Sequence, residues 1–134
     1  MASIHKEISI NASAEHVWEI VRDIGAVHKR LVPGLVTDVR QQADARVVTF
    51  ASGMVVRELI VDIDDGRKRL AYAAVGGMFT HHNASMNVVA NGQHACRLVW
   101  ITDLLPDEAA PAVGSVIDEA APIMKRTLEQ ETAD

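Results

Sequence analysis

From residue 4 to residue 10 the chain alternates Ile-His-Lys-Glu-Ile-Ser-Ile, so Ile4, Ile8 and Ile10 fall on one face of a strand. Asn11-Ala12-Ser13 breaks that period. Ser13 is a good N-cap and Glu15 sits where a first-turn acid complements the helix dipole. Ala14, Val17, Trp18 and Val21 then recur at i, i+3, i+4 and i+7, which predicts an amphipathic helix to about residue 23, ended by Gly25. A second short helical piece over 26–31 is stopped by Pro33-Gly34.

The middle of the chain changes period. Strands are predicted over 35–41, 46–51, 54–63, 69–75, 79–90 and 95–104, separated by turn signals such as Ser52-Gly53, Asp64-Asp65-Gly66, Gly76-Gly77 and Asn91-Gly92. Short turns between successive strands make them antiparallel neighbours. The last element is helical, over 107–131, with Asp107 as the expected cap and Pro111 where backbone N–H groups are still unpaired. Val113, Val116, Ile117, Ala120, Ala121, Met124 and Leu128 form its apolar stripe, and Pro122 lies on the polar side, where it predicts a bend.

That order predicts an α+β domain spanning 1–134: a seven-stranded curved antiparallel sheet, two short helices after the first strand, and a long C-terminal helix covering one sheet face. A bent sheet gripping one helix leaves concave apolar space between them, where small ligands sit.

Composition narrows the function. Acids and bases are mixed along the chain and the net charge is −5, so no Lys/Arg stripe serves a nucleic acid or an anionic membrane. Cys96 is the single cysteine, which rules out an intrachain disulfide. No signal-peptide pattern or spanning-length apolar run occurs, which makes the cytoplasm the expected location. No phosphate-cradling or serine-hydrolase motif occurs, and no cofactor is expected. His81-His82 does not read as a metal site, because adjacent strand residues point to opposite faces.

Three stretches resemble the START-like (SRPBCC) superfamily, which includes birch-pollen-allergen-like proteins, polyketide cyclase/dehydrase relatives and plant abscisic acid receptors. They are Ile8-Ser9-Ile10-Asn11-Ala12-Ser13-Ala14-Glu15-His16-Val17-Trp18; Val56-Arg57-Glu58-Leu59 with Asp62-Ile63-Asp64-Asp65 and Arg69-Leu70-Ala71-Tyr72; and Cys96-Arg97-Leu98-Val99-Trp100 with Pro106 before the last helix. The resemblance implies a helix-grip fold whose cavity mouth is rimmed by Ser52-Gly53 and by Gly76-Gly77-Met78-Phe79. The sequence departs from the hormone receptors, whose gate is longer and whose latch reads His-Arg-Leu where this chain has Met78-Phe79-Thr80.

Glu58 matches a strand glutamate that faces the cavity in those receptors, and by alternation it shares a face with Val56 and Ile60. The competing face, Arg57, Leu59, Val61 and Ile63, is more apolar; on that reading Glu58 points outward and pairs with Arg46, Arg57 or Lys68. His82 shares parity with Ala84, Met86 and Val88, which turns it inward and His81 outward. Glu58 and His82 are therefore the candidate acid/base groups. Tyr72, Met86, Trp100, Ile117 and Met124 join them as candidate ligand contacts: Tyr72 for a hydroxyl that needs a buried partner, the methionines as adaptable lining. Three functions stay open: a binding or carrier protein for a hydrophobic or aromatic small molecule, a cyclase/dehydratase-type enzyme, and a co-chaperone-like accessory domain.

Overall fold

Ser13 caps the first helix, its Oγ accepting from the His16 amide at 3.2 Å. The structure, a computed structural model, describes residues 1–132, and side-chain environments for residues 1–130. Strand β1 (Ala2–Ile10) leads to α1 (Ala14–Val21) and then to the second short helical piece, a single π-helical turn over Val27–Leu31. Strands β2 (Val36–Gln42), β3 (Ala45–Phe50), β4 (Val55–Asp64), β5 (Arg69–Val75), β6 (His81–Ala90) and β7 (Cys96–Leu105) follow as a meander. The curved sheet has the order β1-β7-β6-β5-β4-β3-β2, every neighbouring pair antiparallel.

A 3-10 turn, Asp107–Ala109, opens into helix α2, Ala110–Thr132, which runs on through Pro122. Pro106 occupies the cap position without a side-chain bond, while Asp107 faces the N-terminal ammonium at 3.4 Å. Asp107 therefore does not cap. Ile117, Ala120, Ala121, Met124 and Leu128 are buried along the predicted stripe, and Pro122 is exposed. Leu128 is fully buried in one continuous cluster with Ile10, Val17, Leu98 and Cys96. Burial of a side chain of that size contributes about 1.5–3 kcal/mol.

Asp65 does more than shape its turn. Its Oδ1 accepts from Trp18 Nε1 at 2.9 Å and from Arg22 Nε at 2.8 Å, tying α1 to the β4–β5 hairpin. These bonds, Trp18 first, hold the Asp65 carboxyl below the usual carboxylate range.

In β4 the alternation does not run straight through. Ile60 pairs with Tyr72 and Asp62 with Ala71, so Val61 is an extra residue in the ladder and is 58% exposed. On one side of this bulge Val56, Glu58 and Ile60 face the helix; on the other Ile63 does, packed against the core. The supposed apolar face of Arg57, Leu59, Val61 and Ile63 is thus not one face.

Candidate functional site

Between the sheet and the first half of α2 lies a cavity of about 440 Å³, within the range of small-molecule sites. Ala112, Val113, Val116 and Ile117 line it from the helix, Val56, Tyr72, Ala74 and Trp100 from the sheet, and Phe79 from the β5–β6 loop. Its mouth carries exposed apolar side chains, Met54, Val55, Val75 and Met78. The β5–β6 loop turns there on Gly76 and Gly77, both at positive φ (79° and 63°), where a side chain would strain the backbone.

Among this apolar lining stand Glu58, Tyr72, His82 and Thr102, with the indole N–H of Trp100. Glu58 is placed by the β3–β4 ladder, directly opposite Arg46. Both point to the concave side, with side chains 14% and 6% exposed, and Arg46 Nε donates to Glu58 Oε1 at 2.8 Å. Glu58 is therefore both inward and paired. Arg46 Nη1 also donates to the Ile24 carbonyl at 3.3 Å, and its guanidinium lies 5.1 Å from the centroid of the Tyr72 ring. The other carboxylate oxygen of Glu58 has no protein partner among the described residues.

Tyr72 is buried, and its hydroxyl oxygen accepts from Trp100 Nε1 at 3.0 Å. Burial, reinforced by the charge of Glu58, pushes its phenol far above the ordinary range, so it stays a neutral donor. His82 projects from the start of β6, half-buried, with the Phe79 ring 4.9 Å away and the Tyr72 ring 6.2 Å away between centroids. Its Nδ1 accepts from the Ala74 amide at 2.9 Å. Burial, then the neighbouring His81, depresses its pKa and favours the uncharged ring.

Trp100 and Ile117 also line the cavity. Met86 and Met124 do not: both are buried in the core cluster, which corrects their expected place as ligand contacts. Strand parity puts Met86, and the helix stripe puts Met124, on the right face, but Met86 lies four residues along the strand from His82, about 13 Å, and Met124 about two turns along the helix from Ile117. Thr102, Val113 and Val116 were not singled out as contacts from the sequence, although Thr102 shares the parity of Trp100 and both valines lie on the helix stripe. Cys96 is buried away from the cavity, and burial, with the charge of Glu15, pushes its thiol up to about 11. Among the described residues no group of three or more His, Cys, Asp or Glu is arranged to hold a metal ion. Among the described residues no helix is long and apolar enough to cross a membrane.

Solved structures share this architecture. XoxI from Bacillus cereus superposes with a TM-score of 0.85 at 15% identity, covering 98% of this chain and 99% of that one. Norcoclaurine synthase from Thalictrum flavum, solved in complex with dopamine and hydroxybenzaldehyde, gives 0.76 at 19% identity over 98% and 86%. The di-domain ARO/CYC BexL from the BE-7585A biosynthetic pathway gives 0.85 at 12% identity, covering all of this chain and 48% of that one. At such identities the likeness is one of fold. No curated protein is significantly similar in sequence. The family model described as polyketide cyclase / dehydrase and lipid transport matches residues 1–133, so the chain belongs to that family.

Proposed function

We propose that this protein binds and carries a hydrophobic or aromatic small molecule in the cavity between the sheet and α2. The observation that carries the reading is an apolar cavity of about 440 Å³ with few polar groups, whose one carboxylate is paired with Arg46 and whose His82 and Tyr72 stand as uncharged donors. Such a site orients a ligand by a few hydrogen bonds and holds it by apolar contact. An accessory interaction domain would have no use for so much unfilled internal space. A cyclase/dehydratase-type enzyme is the second reading. It is favoured by the free oxygen of Glu58, a group able to take a proton inside the cavity, but His82 is poorly placed to serve as its partner base because Nδ1 is engaged.

Titration with Nile red, a neutral apolar dye, tests the carrier reading. Wild type should show saturable one-site binding. Val116→Trp, which fills the cavity from the half-buried face of α2, should abolish it while leaving the thermal transition cooperative. Dye binding that survives in this variant would place the dye elsewhere and refute the reading.

A further inference from the structure

We infer that His82 is held as a one-way hydrogen-bond donor, and that with Tyr72 it selects ligands bearing a neutral acceptor oxygen over carboxylates of the same shape. This inference rests on the carrier reading of the cavity and specifies what the cavity accepts.

The β5–β6 ladder stops at the pair Tyr72 and Ala84. Two residues on, a continued ladder would set Ala74 opposite His82; instead the Ala74 amide donates to the imidazole Nδ1 at 2.9 Å. An amide N–H can approach Nδ1 at that distance only if the nitrogen presents its lone pair. In the neutral ring the proton must then be on Nε2, and a second proton on Nδ1 would face the Ala74 N–H directly. Nε2 has no protein partner among the described residues, and the ring borders the cavity. The imidazole therefore offers the cavity an N–H and no lone pair.

Tyr72 is constrained in a similar way from the other side. Because its oxygen already accepts from Trp100, its own proton is left to donate, and no protein acceptor takes it. Two uncharged donors thus border one cavity, their rings 6.2 Å apart between centroids.

The charges decide which acceptor they suit. Among the described residues that line the cavity there is no lysine or arginine, and Glu58 is the only carboxylate. Arg46, which neutralises it, is not part of the lining and spends its Nε on Glu58 and its Nη1 on the Ile24 carbonyl. A carboxylate ligand would bring a second negative charge beside Glu58 into apolar surroundings, with no free cation to meet it. An amine would turn donors toward donors at His82 and would be drawn to the unpaired oxygen of Glu58 instead, away from the two donors. A ketone, amide or ether oxygen can accept from either donor and brings no charge beside Glu58.

Two measurements on the intact protein test this. Nitrogen-15 spectra of the imidazoles at neutral pH should show His82 with its proton on Nε2; a proton on Nδ1, or a charged ring, would overturn the proposal. Displacement of Nile red by 2-acetylnaphthalene, 2-ethylnaphthalene and 2-naphthoate then compares one body with a carbonyl, with no acceptor and with a carboxylate. The ketone should bind about two- to tenfold more tightly than the hydrocarbon, the range one net hydrogen bond supplies, and the naphthoate most weakly. His82→Phe and Tyr72→Phe should each shrink the ratio of ketone to hydrocarbon affinity, both ligands being measured on the same variant. Equal displacement by all three, displacement by none, or a preference for naphthoate would sink the proposal while dye binding kept the carrier reading alive. Failure of Nile red itself would remove both. Should a variant not fold, the spectra and the wild-type ligand ratios still decide.

Discussion

The two halves of helix α2 rest on the same sheet but do different things. From Ala120 to Leu128 the helix faces Leu98, Ile10 and Val17 in a core where the largest side chains are completely buried. From Ala112 to Ile117 it faces a cavity, Val113 and Val116 are only half-buried, and the rim beyond them exposes Met78 at 47%. The packed half gains dispersion and apolar burial that the open half forgoes. Stability and recognition are thereby separated along one helix, and a substitution should affect one or the other according to the turn it occupies.

Arg46 stands at the boundary, and disturbing it should have the largest effect. Arg46→Ala leaves Glu58 buried without its cation and should cost about 3–5 kcal/mol in denaturant unfolding, whereas the double variant Arg46→Met with Glu58→Leu should recover most of it. A small loss in the single variant would mean that water reaches Glu58 and that the boundary is wetter than described. Within the helix, Leu128→Ala should cost about 2–5 kcal/mol and Val116→Ala less than about 1 kcal/mol. Similar losses at the two positions would erase the distinction between the halves.

The smallest effect is one of pH. The folded protein holds His82 below its ordinary pKa of 6.5, so the unfolded chain takes up the proton first as pH falls. The stability that the neutral ring contributes is therefore complete above about pH 6.5 and declines below it. His81, Glu58 and Tyr72 are the titratable groups around this ring. Urea unfolding at about pH 7.5 and 5.5 should show a smaller acid loss in His82→Phe than in wild type. Equal losses would mean that burial does not hold the ring neutral.

Much of this architecture is legible in residue order. Alternation from Ile4 to Ile10, the Gly- and Asp-rich turns and the stripe from Val113 to Leu128 specify seven strands and the closing helix, because each reports a period that burial imposes on one element at a time. The features that depend on two elements at once are not legible. The extra residue at Val61 is set by the register of β4 against β5, and the bonds of Asp65 to Trp18 and Arg22 by the meeting of α1 with the β4–β5 hairpin. The site divides in the same way. Parity turns Tyr72, His82 and Trp100 inward, and a family match added to parity does so for Glu58. Neither tells how far along the strand or the helix the cavity ends, which is why Met86 and Met124 fall in the core.

The bulge at Val61 also bears on how such a chain can change over generations. Strand β4 carries one residue more than its partner requires, and that residue sits between the cavity stretch (Val56, Glu58, Ile60) and the core stretch (Ile63). Loss of Val61 would restore plain alternation and leave both inward sets on the same side. The position therefore acts as slack in the reading of inside and outside. A one-residue gain or loss there can be absorbed without turning the binding face to water, so the cavity stretch can be rewritten while the core stretch stays in step.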